Sequence, residues 1–395
     1  VIIAMPSVEG EVIRSVTRQA DRMNAHLRIV PGIRKIIEGD VHWNQIRTVQ
    51  PEDLLGRETV EVDQSRIRSH FRGKTVLVTG AAGSIGSQLV KQIAEHPVQT
   101  IYGVDINESG LYELEASELE PKQRKKFDSI LGDIRERDHL EQIIDESRPD
   151  IVLHAAALKH VPMVERQPVE GFKTNVYGTL NVFELAVDHA VDEVVLISTD
   201  KAVSPENFMG MTKRIDERLV STFHQKNSST DFMAVRFGNV LGSRGSVVPL
   251  FQRQIEKGGP VTVTDPDVRR YFMTPTEAVK LVLMASVLRE TPPIHVLELG
   301  DPIKILDLAR QLIALSGYEP DTEIPITFTG LREGETMEET LFSPDEEKQS
   351  TEHPKIRATA APVYSDEEIA RIRNFLENHS AVESISLQDI KQFAA

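Results

Sequence analysis

The sequence predicts an α/β protein built on a doubly wound parallel sheet, with a smaller second α/β domain after it and a partial α/β segment before it. Two observations predict this class. At residues 75–94 a short apolar strand pattern runs directly into a glycine turn and a helix pattern. From Lys74 onward, strand and helix patterns alternate, which is typical of a parallel sheet covered by helices on both faces.

Composition limits the function. The chain has 395 residues, 40% of them hydrophobic and 27% charged, as is ordinary for a globular protein of two or more domains. A net charge of −16 argues against a nucleic-acid-binding protein, and an anionic substrate would need locally placed arginines. The absence of cysteine excludes disulfides, thiol nucleophiles and cysteine metal sites, and it fits a reducing compartment.

The first 72 residues differ from the rest of the chain. VIIAMP and LRIVPG have strand patterns, and residues 9–25 have helical spacing. We therefore expect residues 1–50 to be the remainder of an N-terminal α/β domain. Because the chain opens on what looks like a core strand, we also expect it to be a fragment of a longer protein. Residues 51–72 are polar and predict a linker.

The glycine turn, TGAAGSIG, follows the first strand pattern of the main domain. Gly80 permits a tight turn, Gly83 lets backbone amides approach a pyrophosphate, and Gly86 lets helix and strand pack closely. The helix N-terminus at Ser84 and Ile85 would face the phosphates with its partial positive charge. This pattern predicts a Rossmann-type dinucleotide-binding unit, the alternative being a merely tight strand-to-helix turn.

The second and third strands supply further candidate cofactor residues. TIYGVD ends at Asp105, 25 residues beyond Gly80, near the place where an acid binds the adenosine ribose hydroxyls. A carboxylate there would repel a 2′-phosphate and so favours NAD over NADP. The alternative is an Asp that caps the next helix. In the third strand, SILGDI, Asp133 and Ile134 are predicted to lie beside the adenine.

Small and polar residues follow the next three strands. DIVLHAAA ends in Ala155, Ala156 and Ala157, which are small where the backbone must pass close to a cofactor. DEVVLISTDKAV and MAVRFGNVLGS then run into polar loops. We predict that residues 73–245 form the NAD-binding Rossmann core.

After residue 245 the regular alternation fades. Residues 246–342 contain helix patterns at VVPLFQRQIEKGG and TPTEAVKLVLMASVL, the second capped by Thr274, with the strand VTVTD between them. This predicts a smaller substrate-binding domain over the carboxyl ends of the strands, part of it returning to the core. Residues 343–395 are predicted to be a tail, polar and loop-like to residue 364, with an amphipathic helix at 365–377.

Six motifs in order carry a family resemblance: TGAAGSIG, HAAALKHVPMVE, ISTDKAV, MGMTKR, RFGNVLGS and GLREGE. With them, residues 73–342 resemble the extended short-chain dehydrogenase/reductases, and within these the nucleotide-sugar 4,6-dehydratases of the polysaccharide-biosynthesis type. Larger members of that group carry transmembrane helices and a second α/β domain before the catalytic one. The resemblance implies a homo-oligomer whose catalytic domain is cytoplasmic and whose missing N-terminal region is anchored in the inner membrane.

The resemblance also implies a catalytic group. Thr199, Asp200 and Lys201 lie at the carboxyl end of the fifth strand, and a Tyr-x-x-x-Lys pair should follow on the next helix. Lys213 matches that lysine, which also contacts the cofactor, but Met209 stands at the tyrosine position. Methionine cannot handle a proton, which argues against a simple dehydrogenase and resembles a subgroup of the membrane-associated dehydratases.

Lys201 stands where related glucose dehydratases carry a glutamate base. A lysine base would need its pKa lowered from about 10.4 to near neutrality, by burial or by a neighbouring cation. Lys213 and bound NAD are the expected sources of that shift.

The implied reaction is an internal redox conversion of a UDP-N-acetylhexosamine. Of these sugars, the resemblance favours UDP-N-acetylglucosamine as the substrate. Tightly bound NAD takes hydride from C4, the C4 ketone acidifies the C5 proton, water is eliminated across C5 and C6, and the hydride returns to C6. The product is a 4-keto-6-deoxy sugar. Two alternatives stay open: a C4 epimerase, which needs no base at C5, and a catalytically silent NAD-binding scaffold.

Candidate substrate residues follow from the chemistry of a UDP-sugar. Arginines suit its phosphates because the guanidinium is a planar, bidentate donor. The candidates are Arg244, Arg269 and Arg332, with Asn239 from the RFGN segment. Lys159 and His160 are expected to touch cofactor or sugar, and Asn175 to stabilise the central helix near the cofactor. His160 has no second ligand at metal spacing, so no metal site is predicted.

Overall fold

The computed structural model describes residues 2, 3, 16, 28, 29, 47 and 48, and then residues 60–227, 229–288, 291–378 and 385–394. Its strands are β1 (Ile2–Ile3), β2 (Arg28–Ile29), β3 (Arg47–Thr48), β4 (Thr75–Thr79), β5 (Thr100–Asp105), β6 (Phe127–Leu131), β7 (Ile151–His154), β8 (Glu193–Ile197), β9 (Asp231–Arg236), β10 (Asn239–Val240), β11 (Val261–Val263), β12 (Arg269–Arg270), β13 (Phe272–Met273), β14 (Ile294–Leu297), β15 (Ile303–Lys304), β16 (Ile326–Phe328), β17 (Gln349–Ser350) and β18 (Ile356–Thr359).

The α-helices alternate with these strands. They are α1 (Gln64–His70), α2 (Ser84–Ala94), α3 (Glu108–Glu113), α4 (Pro121–Arg124), α5 (Arg137–Ser147), α6 (Val161–Arg166), α7 (Pro168–Phe172), α8 (Gly178–Asp188), α9 (Phe208–Lys226), α10 (Val247–Glu256), α11 (Pro275–Ala285), α12 (Ile305–Leu315), α13 (Asp366–Asn378) and α14 (Leu387–Ala394). Two π-helical turns, Leu114–Glu118 and Lys173–Tyr177, and a 3₁₀ turn, Asp200–Ala202, complete them.

The main sheet confirms the predicted Rossmann-type topology. Its strand order is β17-β18-β14-β9-β8-β7-β4-β5-β6. The strands from β6 to β14 in this order pair in parallel. The chain therefore reverses its direction of progress between β4 and β7. In a doubly wound sheet the ligand crevice lies at that switch point, beyond the carboxyl ends of the strands.

Two apolar layers bury the sheet, one on each face. One layer contains the buried faces of α8 and α9, including Leu180 and Leu219. The other contains those of α2 and α11, including Leu89 and Leu281. A third, smaller cluster joins α10 and α12 to β11, with Phe251 at 1% exposure. This third cluster is the core of the predicted second α/β part.

Helix α1 lies in a segment that the sequence predicts to be a polar linker. Asp63 caps this helix by accepting from the backbone amides of Ser65 and Arg66. Ile67 and Phe71 are 1% and 0% exposed and belong to the layer that contains α2. Val60 and Val62 pack partly buried against the same layer, and between these few apolar residues the segment is polar, which is why its composition looks like that of a linker. Residues 51–59 lie outside the described residues.

Strands β17 and β18 correct the prediction of a loop for residues 343–364. β18 pairs antiparallel with β14 and extends the main sheet, and β17 pairs with β18. Ile356 and Ala358 are both 0% exposed. The strand is difficult to predict from the sequence because it is only four residues long and only every second side chain in it is apolar.

The N-terminal strands β1 and β2 fall within VIIAMP and LRIVPG, as predicted, and pair in parallel. The helix expected at residues 9–25 lies outside the described residues, apart from a single helical residue, Val16. Among the described residues, no helix is long and apolar enough to cross a bilayer. The same residues contain no cluster of three or more His, Asp or Glu side chains that could hold a metal ion.

Candidate active site

A cleft of about 610 Å³ opens at the switch point. It is lined by residues 83–86 of the glycine turn, the loop after β7, the loop after β8, and Met209 and Lys213 of α9. Residues from α10, β11 and the loop around Arg332 close its other side. The cleft therefore lies between the Rossmann core and the smaller second part, where the sequence predicts cofactor and substrate to meet.

The glycine turn can be formed only by glycine. Gly80 has φ +69°, and a Cβ on it would lie 2.6 Å from the backbone nitrogen of Ala156. A Cβ on Gly86 would lie 2.0 Å from the carbonyl oxygen of Gly80. Gly83 occupies the N-cap of α2, and the first turn of that helix opens onto the cleft. The turn thus fits a pyrophosphate on backbone amides.

Asp105 braces this turn from the end of β5. Its carboxylate oxygens accept one hydrogen bond each, from the amides of Ala82 and Asn107, both at 2.9 Å. Asp105 does not cap the next helix, because the N-cap of α3 is Asn107, whose side chain accepts from the amide of Gly110. Each oxygen keeps a free lone pair beside the glycine turn, so contact with a ribose hydroxyl stays a prediction.

Three other predicted cofactor residues, like Asp105, are not among the described residues that line the cleft. Asp133 is held by the guanidinium of Arg135 at 2.6 Å, which lowers the pKa of Asp133 although its burial acts in the opposite direction. Ile134 is buried against Gly178. The Asn175 amide binds the backbone of Leu158, donating to its oxygen at 3.0 Å and accepting from its nitrogen at 2.7 Å.

Asn175 also donates to the hydroxyl of Thr212 on α9, at 2.8 Å. It thereby ties the loop after β7 to α9 from a π-helical turn. Asn175 therefore fixes the loop in which Ala155 and Ala157 line the cleft, and its contact with the cofactor stays a prediction.

The catalytic turn, Thr199, Asp200 and Lys201, follows β8 and forms the start of a 3₁₀ turn. Thr199 and Lys201 line the cleft, while Asp200 is fully buried under them. The Thr199 hydroxyl and the Lys201 ammonium each donate to Asp200 Oδ1 at 3.0 Å. Lys201 donates also to Asn239 Oδ1 at 3.3 Å. Among the described residues, Asp200 Oδ2 has no hydrogen-bond partner.

The protonation of Lys201 differs from the expectation. Burial lowers the pKa of Lys201, but the carboxylates of Asp200 and Glu339 outweigh burial, and the net shift is upward. Glu339 Oε1 lies 3.5 Å from Lys201 Nζ. The structure therefore does not show the lowered pKa that a neutral amine base would need. The upward shift favours the charged ammonium, which is suited to donating a proton.

Met209 and Lys213 both reach the cleft from α9, as their spacing of four predicts. Met209 is 3% exposed and Lys213 is 5% exposed. Lys213 Nζ donates to Asp216 at 2.8 Å, and burial raises the pKa of Asp216 to about 6 although the Lys213 charge opposes that shift. No tyrosine is among the described residues that line the cleft.

The loop after β7 places Lys159 and His160 in the cleft wall. Burial lowers the pKa of both side chains, and the Lys159 charge lowers that of His160 further. The His160 ring packs against Gly245, where a Cβ would lie 2.5 Å from the ring. This contact connects the loop after β7 to the last residue of the predicted core, just before α10.

The three predicted arginines take different positions. Arg332 lines the cleft. Arg244 instead lies on the glycine turn, donating to the carbonyl oxygen of Ala82 at 3.0 Å. Arg269 is not in the lining, but its neighbour Arg270 is. Side chains alternate along a strand, so Arg270 reaches the cleft where Arg269 does not, and phosphate binding by Arg269 stays a prediction.

Comparisons with known proteins agree with this geometry. Residues 76–361 match the family described as "Polysaccharide biosynthesis protein". The chain is 41% identical over 387 residues to capsular polysaccharide biosynthesis protein CapD of Staphylococcus aureus, covering 98% of this chain and 64% of CapD. It is 44% identical over 358 residues to the probable polysaccharide biosynthesis protein EpsC of Bacillus subtilis, covering 90% of this chain and 59% of EpsC. This chain thus spans about six-tenths of the length of these relatives.

Epimerases are also similar. A UDP-glucose 4-epimerase of Rickettsia rickettsii is 35% identical over 285 residues, covering 70% of this chain and 80% of the epimerase. Among solved structures, Pen from Bacillus thuringiensis has a TM-score of 0.67 at 31% identity, covering 78% of this chain and 99% of Pen. A Thermus thermophilus UDP-glucose 4-epimerase complex with NAD has a TM-score of 0.56 at 18% identity, covering 81% of this chain and 97% of that one, and supports the fold alone.

Proposed function

This chain belongs to the polysaccharide biosynthesis protein family of extended short-chain dehydrogenase/reductases, and from that premise we propose that it is the catalytic part of an NAD-dependent nucleotide-sugar 4,6-dehydratase. The proposed substrate is UDP-N-acetylglucosamine, and the proposed product is its 4-keto-6-deoxy derivative. We propose further that the whole protein is a homo-oligomer anchored in the inner membrane with this part in the cytoplasm.

One observation carries the proposal: a charged lysine beside a buried carboxylate in a cleft whose described lining has no tyrosine. Epimerisation at C4 needs one acid/base group at that carbon, typically the family tyrosine. Dehydration needs in addition a proton for the departing C6 hydroxyl and a base for the C5 proton. The Asp200–Lys201 pair can supply both, and Met209 can only pack.

The chain's own residues suggest the order of proton transfers. The Thr199 hydroxyl lies between the cleft and Asp200, so a proton from the C4 hydroxyl could pass through Thr199 to Asp200. The Asp200–Lys201 pair then carries two exchangeable protons, with Lys201 charged at the outset, so it gives one to the departing C6 hydroxyl as it takes the C5 proton in its place. A final proton returns to C5. Two protons leave the sugar and two return, so the enzyme ends each turnover in its starting state.

NAD fits residues of the Rossmann core. The glycine turn at 83–86 would hold its pyrophosphate, Asp105 its adenosine ribose, and Ala155 and Ala157 would leave room for its nicotinamide half. When bound, NAD supplies a two-electron oxidant that is regenerated within the turnover. A structural neighbour is named as a complex with NAD, which is consistent with this assignment.

Turnover of UDP-N-acetylglucosamine in heavy water tests the proposal. We expect a product lighter by one water, carrying deuterium at C5, formed without added NAD and without accumulation of NADH. Mass spectrometry measures the loss of water, and NMR locates the deuterium. An unchanged mass with inverted C4 would instead indicate the epimerase. Bound NAD with no conversion of the sugar would indicate the silent scaffold.

A further inference from the structure

An extended segment from the second part of the protein lies across the catalytic turn. We define residues 334–341 as the return segment. Asn207 donates to the carbonyl oxygen of Gly334 at 2.9 Å, and Arg236 donates to that of Leu341 at 2.8 Å. Arg270 donates to the carbonyl oxygens of Thr336 at 2.7 Å and Met337 at 3.1 Å. Side chains thus supply the hydrogen bonds that a helix or strand would otherwise supply.

Glu339 is the residue of this segment that reaches the site. Its side chain is 11% exposed, and its Oε1 lies 3.5 Å from Lys201 Nζ and 3.8 Å from Arg270 Nε. The charged groups that face Lys201 are therefore Asp200 from its own turn, Glu339 from the return segment and Arg270 from β12. Asn239 contributes a neutral carbonyl oxygen from β10.

The two positive charges, on Lys201 and Arg270, are matched by two negative charges only when Glu339 is counted with Asp200. Asp200 is fully buried and accepts also from Thr199, so its single contact with Lys201 uses an oxygen that two donors share. Arg270 opposes a positive charge on Lys201. Without Glu339, Lys201 would face one carboxylate and one guanidinium, and its charged form would lose one of the two carboxylates that offset burial.

We propose that Glu339 is a positioning residue, which holds the Lys201 ammonium at the cleft, where it can protonate the C6 hydroxyl. The protonation of the C6 hydroxyl rests on the proposed function, whereas the interaction of Glu339 with Lys201 does not depend on it. No sequence motif marks Glu339, because its partner lies 138 residues earlier in the chain.

The test measures the protonation of Lys201 without turnover. The purified protein and its variants are labelled with trace acetic anhydride at a series of pH values, and mass spectrometry follows acetylation of the peptide that contains Lys201. We expect Glu339→Gln, which keeps the shape of the side chain and removes its charge, to lower the midpoint for Lys201 by about 1 to 3 pH units. The matched control is Glu338→Gln, next in the chain and exposed, which should leave the midpoint unchanged.

Glu339→Asp serves as the second variant, because it keeps the charge on a shorter side chain. We expect its midpoint between those of the wild type and Glu339→Gln. An unshifted midpoint in both Glu339 variants overturns the proposal, as does an equal shift in the Glu338 control. Where sugar turnover is measurable, the alkaline limb of the kcat profile should move in the same direction. A shifted Lys201 midpoint without any dehydration would reject the proposed function and leave the Lys201–Glu339 interaction supported.

Discussion

At the scale of single residues, the pKa values of two lysines in one cleft are shifted in opposite directions. Lys201 lies between the carboxylates of Asp200 and Glu339, and its pKa is raised. The pKa of Lys159 is lowered by burial, and no carboxylate of the described residues pairs with it. When the surroundings raise the pKa of one lysine and lower that of another, the two side chains are suited to different chemical roles. Lys201 is suited to donate a proton, whereas Lys159 is suited to gain an anionic partner such as a diphosphate.

Variants of the catalytic turn and of Met209 test this assignment. Removing a positioned acid or base typically costs a factor of about 10² to 10⁴ in rate. We expect Lys201→Ala and Asp200→Asn to fall in that range with bound NAD retained, measured by steady-state turnover of the sugar nucleotide. Met209→Leu conserves volume and should cost less than about tenfold. A Met209→Leu variant that is impaired more than Lys201→Ala would show that the roles are assigned wrongly.

At the scale of elements, one buried arginine joins three segments behind the catalytic turn. Arg236 at the end of β9 is 0% exposed and contacts Glu217 of α9 at 2.6 Å and Glu346 at 2.7 Å. Glu217 also accepts from Ser198, next to Thr199, at 2.7 Å. Arg236 therefore links Glu346, which lies beyond the return segment, to Glu217, the carboxylate that supports the start of the catalytic turn.

Arg236→Met should destabilise the protein by about 3 to 5 kcal/mol, because it removes the fully buried cation between two buried carboxylates and leaves them only Arg214, 3.8 Å from Glu217 and 2.9 Å from Glu346. Urea unfolding at neutral pH measures this loss. The control is Arg253→Met on α10, an exposed position, which we expect to change the free energy of unfolding by less than about 0.5 kcal/mol. Equal effects of the two substitutions would show that the buried network contributes nothing specific.

At the scale of the whole molecule, two buried histidines link stability to pH. His154 at the end of β7 contacts Thr79 at 2.6 Å and Thr179 at 2.9 Å, and burial lowers its pKa to about 3. His295 in β14 is 1% exposed, and burial lowers its pKa to about 4. Both are therefore neutral in the folded protein throughout the range in which an unfolded histidine gains its proton.

The sign of the pH effect follows. Below pH 6.5 the unfolded chain binds protons at these two positions and the folded chain does not, so stability falls as the pH falls. The slope approaches about 1.4 kcal/mol per pH unit for each histidine. Urea midpoints at pH 7 and pH 5 measure it. We expect His295→Gln to reduce the slope and the exposed His139→Gln to leave it unchanged. A slope that His295→Gln does not alter would contradict this account.

The sequence by itself determined the Rossmann core and its glycine turn. Both depend on local signals, namely apolar periodicity and a backbone conformation that only glycine adopts at Gly80. The motif order predicted the family, which the comparisons confirm. The dehydratase and its site residues remain predictions.

Only the tertiary structure decided the direction of the pKa shift of Lys201, the position of Arg270 in the cleft wall, the strand β18 and the contact of Glu339 with the catalytic turn. Each depends on groups far apart in the chain. The pKa of a group depends on all the charges near it and on how far burial removes it from solvent. A short strand forms only where a sheet edge is available to pair with it. Local sequence encodes neither, because both arise only when distant segments pack against one another.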